Sequence, residues 1–411
     1  MKNTKPGFLF LILSYFLSSV EYTIALLLFA PLLLKKPYGL LPIDYDLQKR
    51  TILLTTLYIA YQFSCIFFVP LVGFLADRFG RSMMLKIILA CSIILNLFTG
   101  LSIYLNSFSF LVLVRFFSGL CQCIDVLVKS IMPELYSGKQ LKRLLCLIPS
   151  ASGLALAIGP SAALFLSSKP LFNTSYPFYF LSFLYICSFI GICITLKDLK
   201  RIPIDQGKEK AQLNFQNIKK IYIAIFEFVL KTKSLHKLYI SLMITYLGYS
   251  AFLPYFSPFL IEKYKESKAV ISMEFSDFAI FFIAGIFFYS LVLIKLFSAR
   301  NMYITSLTVL GVLLLTLDFG DSFYYTWVIL AGIGMMRGIT GSTTPLLVFE
   351  NCEAQYLGTA YGSTTSLAKL ASSIGVTVGG LLFSMSIYVP YFVSSVLILT
   401  ASFYFWYKNG K

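Results

Sequence analysis

The sequence predicts an all-α integral membrane protein whose twelve transmembrane helices form two pseudo-symmetric six-helix bundles. Three observations predict it. Of 411 residues, 58% are apolar and 13% charged, and the mean hydropathy is +0.81; a soluble domain is about half apolar and a quarter charged. The apolar residues gather into twelve runs near the roughly 20 residues that a helix needs to cross a hydrocarbon core. One long polar break, 197–237, divides those runs six and six.

The first run, 7–34, follows Lys2 and Lys5. It exceeds the roughly 7–15 apolar residues of a signal peptide and no small-residue cleavage site follows, so it reads as a retained helix. Its length implies tilt, a kink or an interfacial extension. Runs 51–76, 83–104, 108–131, 144–167 and 177–196 complete an N-terminal bundle over 1–196. Runs 238–261, 275–297, 302–318, 323–348, 357–385 and 388–407 make a C-terminal bundle over 238–411. The 34 Lys and Arg are biased to the side of the N-terminus, which predicts an inner or plasma membrane protein with both termini cytoplasmic. Between the bundles, residues 211–230 mix Lys219, Lys220 and Glu227 with Phe215, Ile218, Ile221, Ile225 and Phe228. This is an amphipathic helix on the inner leaflet, or a tethering linker with a basic face. Glu134 precedes Gly159 by the same interval as Glu350 precedes Gly375, a faint repeat between the halves.

Composition also excludes function classes. The net charge is +16, but the cations occupy short gaps between apolar runs rather than a soluble basic patch, so no nucleic-acid partner is expected. Seven of the eight cysteines lie in apolar runs and read as packing residues. No C-x-x-C pair occurs and His236 is the only histidine, so no metal site is expected. There is no G-x-x-x-x-G-K-[ST] loop for ATP. No nucleophile–base–orienter set is visible, so the chain is not expected to be an enzyme.

Between the second and third runs stands Gly73-Phe74-Leu75-Ala76-Asp77-Arg78-Phe79-Gly80-Arg81, reaching Lys86. Gly80 permits a backbone angle that other residues resist, Gly73 lets helices approach closely, Asp77 can accept hydrogen bonds at a helix N-terminus, and Arg78 and Arg81 anchor the inner face. The segment resembles the signature loop of the major facilitator superfamily, with Ser82 where a cation is usual. Leu111 to Gly119, containing Arg115, resembles the L-x-x-x-R-x-x-Q-G element of the bicyclomycin-resistance-like drug/proton antiporter branch, with Ser118 in place of Gln. Pro133-Glu134-Leu135-Tyr136 resembles the acidic exit of that helix. Gly153 and Gly159-Pro160 are similar to the helix-kink element of exporters, although Ala162 and Ala163 replace its closing glycines. Glu21 stands where the branch often carries a first-helix acid. The loop after the eighth run has Lys295 and Arg300 but neither Asp nor Gly at the corresponding places.

The resemblance implies a proton-coupled transporter of a small organic solute working by alternating access, with export by antiport. The solute would be drug-like, a metabolite or a siderophore. The rival expectations are a proton-coupled importer and, from another class, a transport-incompetent receptor or scaffold. No cofactor is expected beyond the proton gradient, and the protein is expected to act as a monomer in the bilayer. The resemblance makes Asp77, Arg78, Arg81 and Glu134 a cytoplasmic latch. Ionisable groups inside spans are costly and mark functional candidates. At a rise of about 1.5 Å per residue, Glu21 lies about 21 Å from the inner end of its helix and Arg115 about 10–11 Å below the outer end of its own. They sit at matching depth, either as a proton carrier and its partner or as a static neutral pair. Asp125 and Lys129, one turn apart, satisfy one another locally, or Asp125 serves as a second protonation site. Arg337 and Lys369 have no acid within their own spans and either attract an anionic solute or bond backbone carbonyls. Tyr22, Tyr58, Gln62, Tyr246, Tyr249 and Tyr255 are candidates for lining the cavity.

Overall fold

The computed structural model of the chain describes residues 5–34, 40–42, 44, 45, 47–167, 175–196, 215–264, 268–317, 320 and 322–407. Every regular element among them is helical. The first bundle contains α1 (Lys5–Leu34), α2 (Leu47–Phe79), α3 (Arg81–Tyr104), α4 (Phe108–Leu135), α5 (Gly138–Ser167) and α6 (Tyr176–Thr195). A linker helix, α7 (Phe215–Lys231), follows. In the second bundle, α8 (Lys233–Phe252) passes through a tight turn at Leu253–Tyr255 into α9 (Phe256–Tyr264). Next come α10 (Lys268–Phe288, continued by a π-helical turn, Tyr289–Leu293, to Leu296), α11 (Ala299–Thr316), α12 (Phe323–Glu350), α13 (Leu357–Met385) and α14 (Val389–Tyr407).

Each of the twelve apolar runs falls on these helices, α8 and α9 together forming the seventh. The break between those two was not visible as a gap in hydropathy. Pro254 sits in the turn, where it can donate no backbone hydrogen bond to continue the spiral. Among the described residues ten helices are long and apolar enough to cross a membrane. The membrane helices outside that group are α8 and α12, which carry Tyr246, Tyr249 and Arg337. Polar residues that line an interior site dilute the apolar signal of the helix that holds them.

In lipid there is little hydrophobic drive between helices, so close packing and polar contacts hold the bundles together. Serine and threonine supply many of these contacts. Ser14 bonds Ser188 at 2.8 Å, Ser306 bonds Thr340 at 2.9 Å and Thr308 bonds Ser402 at 2.8 Å, each between two helices. The bundles meet along two seams, α2 against α13 and α5 against α10 and α12. At the first seam a Cβ on Gly73 would collide with the Gly358 carbonyl, so only glycine allows these backbones so close. Ser366 donates to the Ile66 carbonyl at 2.8 Å one step further along. At the second seam Gly153 lies against Ile283 and Phe282, where an added Cβ would come within 2.6 and 2.9 Å. At Gly153 the structure shows tight packing between bundles, within a helix that runs on to Ser167. Gly159 and Pro160 continue that helix, and their side chains lie outside the described residues.

Helix α7 packs against the first bundle and the start of α13. Tyr222 donates to the Phe67 carbonyl of α2 at 2.8 Å, and Phe228 packs against Tyr356 with ring centroids 5.8 Å apart. Phe67 is ten residues from Asp77, about 15 Å along α2, so α7 climbs the side of the α2–α13 seam. The physical reason is that the helix is apolar on two faces. Ile225 is buried while Ile223, Phe226 and Leu230 point outward. Lys219, Lys220 and the linker before Phe215 lie outside the described side chains.

At the far end of α2 a cation is buried. Arg50 reads as a loop cation in the sequence, yet it is 1% exposed. Its guanidinium donates to the carbonyls of Leu33 (2.8 Å), Pro42 (2.5 Å), Tyr45 (3.1 Å) and Leu41 (3.5 Å), tying the α1–α2 loop to the bundle. Replacing Arg50 with Ala strips those acceptors of a charged donor and is expected to cost about 2–4 kcal/mol. The expected readout is a lower apparent Tm with unchanged solute selectivity; an unchanged Tm would show that the loop is held by other contacts.

Candidate functional site

Two groups of polar side chains stand out inside the bundle. The first closes the side where the Gly80 turn lies. Gly80 takes φ 104°, a left-handed value that only glycine adopts without strain, and this turns the chain sharply from α2 into α3. Asp77, in the last turn of α2, reaches across the seam to the start of α13. Its Oδ1 accepts from Gly358 N at 2.9 Å, and its Oδ2 accepts from Thr359 N at 2.7 Å and Thr359 Oγ1 at 2.9 Å. The start of a helix leaves backbone N–H groups unpaired and carries partial positive charge, so it holds a carboxylate well.

Arg81 joins this cluster. It donates to Asp77 Oδ1 from Nε at 3.1 Å and from Nη2 at 2.9 Å, to Glu134 at 3.2 Å and to the Ser130 carbonyl at 2.8 Å. Nη2 also donates across the seam to the Ala354 carbonyl at 2.5 Å. The structure therefore brings Gly73, Asp77, Gly80, Arg81 and Glu134 together and leaves Arg78 out. Arg78 stacks on Phe74 at 4.4 Å and is exposed. On the same side, Lys142 of α5 pairs with Glu350 of α12 at 2.5 Å, with side chains 46% and 34% exposed. An exposed pair contributes at most about 1 kcal/mol. Lys142→Ala should therefore raise the modification rate of a cysteine at Ser366, in a chain otherwise free of cysteine, by less than tenfold. A larger change would make this pair a principal latch.

The second group lies at mid-depth. Glu21 is 3% exposed and Arg115 2% exposed. Glu21 Oε1 faces Arg115 Nη1 at 3.8 Å, an ion pair too long for a hydrogen bond. Glu21 Oε2 accepts from Asn96 of α3 and Tyr185 of α6, each at 3.1 Å. The carboxylate is thus fixed through one oxygen and loosely engaged through the other. Among the described residues Arg115 Nε has no hydrogen-bond partner. Its guanidinium lies over the rings of Tyr61 at 4.4 Å and Phe29 at 5.3 Å. Just after Arg115, α4 tightens into a 3-10 turn at Gly119–Gln122, and a Cβ on Gly119 would collide with Ser64 of α2. Such mid-helix turns often accompany functional sites.

Asp125 and Lys129 form the local pair that their spacing allows, at 2.6 and 2.8 Å. Tyr15 of α1 lies beneath Lys129 at 5.9 Å. Arg337 lies over Tyr246 at 4.9 Å and Tyr249 at 4.8 Å. Lys369 lies over Tyr22 at 5.3 Å and Tyr61 at 5.9 Å, both rings belonging to the first bundle. Among the described residues neither Arg337 nor Lys369 has a carboxylate partner. Tyr22, Tyr58, Gln62, Tyr246, Tyr249, Arg337 and Lys369 are all partly exposed, and the contact of Lys369 with the Tyr22 ring places those two between the bundles. Among the described residues Gln62 Oε1 also lacks a partner. Tyr255 instead donates to the Val376 carbonyl at 2.7 Å within the second bundle.

Sequence reasoning missed Asn96, Tyr185, Tyr61, Thr359 and Lys142. Asn96 carried a usable signal, since it is a lone amide in an apolar run. The others look ordinary until the helices are packed.

The family profile described as Major Facilitator Superfamily matches residues 11–235 and 238–410. Among solved structures, the human organic anion transporter MFSD10 (TETRAN) superposes with a TM-score of 0.80 at 16% identity, over 98% of this chain and 100% of that one. The E. coli fucose:proton symporter FucP gives 0.70 at 14% identity, over 98% of each chain. The proton:xylose symporter XylE gives 0.71 at 13% identity, over 98% of this chain and 94% of that one. At these identities the likeness is one of fold. No curated protein sequence matches the chain at a significant level.

Proposed function

The chain belongs to the Major Facilitator Superfamily, and from that premise we propose that it is a proton-coupled secondary active transporter. It carries a small organic solute across the inner or plasma membrane by alternating access, with both termini in the cytoplasm. The proton gradient is its only driving force, and one chain suffices. The observation that carries this reading is the buried Glu21–Arg115 pair. A carboxylate held by Asn96 and Tyr185 through one oxygen keeps the other available for a proton. Taking up that proton releases Arg115 from its partner, and Arg115 shares the Tyr61 ring with Lys369 of the opposite bundle. Proton binding at one bundle thereby changes the charge that the other bundle meets, which is what a ligand must do to shift a two-state balance.

Solved proteins of this fold include ones described as proton symporters, so the architecture accommodates coupling to protons. The resemblance of Arg115 and its neighbours to the bicyclomycin-resistance-like branch favours export by antiport. Import together with protons is the second reading, favoured by the two cations, Arg337 and Lys369, that stand without carboxylates.

Uptake into inside-out vesicles tests the proposal, using solutes that raise the apparent Tm of the purified protein. Export by antiport predicts accumulation when the lumen is acidified. Import predicts the reverse, and absence of flux with every binding solute would leave a receptor or scaffold.

A further inference from the structure

The mid-depth charges do not balance. The first bundle holds two compensated pairs, Glu21–Arg115 and Asp125–Lys129. The second bundle presents Arg337 and Lys369, and among the described residues neither meets an acid. Both sit over tyrosines, and a cation–π contact supplies about 0.5–2 kcal/mol. The tyrosines position the two cations, and among the described residues no carboxylate pairs with either. The surrounding surface is partly exposed, aromatic and shared by both bundles. Its chemistry complements a ligand with an acidic head and an apolar body.

We propose that Arg337 and Lys369 form the binding site for an organic anion, with Tyr246 and Tyr249 on one side and Tyr22 on the other. This rests on the transporter reading above and names the substrate class of that site. Arg337 offers a planar fork suited to a carboxylate, sulfonate or phosphate. Lys369 supplies a second, mobile positive charge from α13, the helix whose first turn Asp77 holds. The anion would therefore touch a helix whose position depends on the latch. The tyrosines give the apolar body of the ligand flat, amphipathic surfaces to lie against.

Five compounds that share one aromatic body test the inference: 1-naphthoate, 1-naphthalenesulfonate, 1-naphthyl phosphate, neutral 1-naphthol and cationic 1-naphthylmethylammonium. Binding is measured by fluorescence on the full-length protein in detergent. At least one anion is expected to bind at least tenfold more tightly than both the neutral and the cationic compound. Arg337→Gln and Lys369→Gln should each weaken that anion by about 10- to 100-fold, while Arg337→Lys and Lys369→Arg retain most of the affinity. Size-exclusion profiles of the charge-conserving pair guard against misfolding. The proposal is overturned if no anion binds, if the cation binds as well as the anions, or if both charge-removing variants bind like the parent. Because no gradient is involved, anion binding without gradient-driven flux would keep the site and remove the proton coupling. Gradient-driven flux of a solute that ignores both variants would do the opposite.

Discussion

Glu21→Gln is expected to abolish solute accumulation driven by a pH gradient and to leave exchange without a gradient in place. The amide matches the carboxylate in shape and can still accept from Tyr185, so the pocket among α1, α3 and α6 keeps its form. What it loses is the capacity to change charge. A transporter fixed in the proton-loaded form can still swap solute for solute, but has no step at which the gradient does work. The expected loss of accumulation is complete within measurement, at least 100-fold, since a single titrating group that cannot titrate contributes nothing. The change leaves Arg115 buried without a partner, a situation that typically costs about 3–5 kcal/mol. The double variant Glu21→Gln, Arg115→Gln removes that penalty and should recover the apparent Tm while remaining uncoupled. Gradient-driven accumulation by either variant would remove Glu21 from the mechanism.

An anion at the proposed site would fix the sign of coupling. The groups that face Glu21 are Arg115 and Cys121 from α4, Asn96 from α3, Tyr185 from α6 and Tyr61 from α2. Of these only Arg115 carries a fixed charge. An anion beside Lys369 is separated from this cluster by the Tyr61 ring. It repels the Glu21 carboxylate and is attracted to an Arg115 freed of its partner, so the proton and the anion reinforce one another. Linkage requires the effect to be reciprocal. Acidification should therefore tighten the binding of 1-naphthalenesulfonate, whose own charge stays constant, and Glu21→Gln should bind it tightly at every pH. Such reinforcement favours movement of proton and anion together, whereas a cationic solute would compete with the proton and suit antiport.

These residues were legible to unequal degrees. Ionisable groups in apolar runs are rare enough that Glu21, Arg115, Asp125, Lys129, Arg337 and Lys369 all stood out from sequence. Counting the helical rise was enough to place the first two at one depth. The direction of a side chain around a helix or beyond a cap was less accessible. Arg78 and Arg81 carry the same charge three residues apart, but Arg78 closes α2 facing outward while Arg81 opens α3 facing inward, and the left-handed turn at Gly80 separates the two. Arg50 looked like any loop cation because its partners are carbonyls, which every residue has. Glu350 was visible only as a marker of the repeat; that it meets Lys142 depends on how closely α5 and α12 come together. Uncharged partners such as Asn96 and Thr359 give little sign of their part until a carboxylate is seen beside them.

Asp77→Asn should unlock the side of the Gly80 turn. The carboxylate accepts five hydrogen bonds, three from the first turn of α13 and two from Arg81, and its side chain is 5% exposed. An amide removes the charge and turns one acceptor into a donor that faces Thr359 N or Arg81, so at least one N–H is opposed rather than satisfied. Bonds to a charged group are worth about 1.5–3 kcal/mol each. Part of that loss is recovered by water once the seam opens, which leaves a net shift of about 2–4 kcal/mol against the closed seam. A cysteine at Ser366, whose hydroxyl meets the Ile66 carbonyl in that seam, should then be modified at least tenfold faster, while turnover falls and membrane insertion does not change. Asp77→Glu tests the same contact in the other direction, since its charge is retained but its extra methylene must fit where Gly73 and Gly358 already touch. Labelling as slow as the parent in Asp77→Asn would mean that Arg81, bridging Glu134 and the Ala354 carbonyl, is enough to hold the bundles shut on its own.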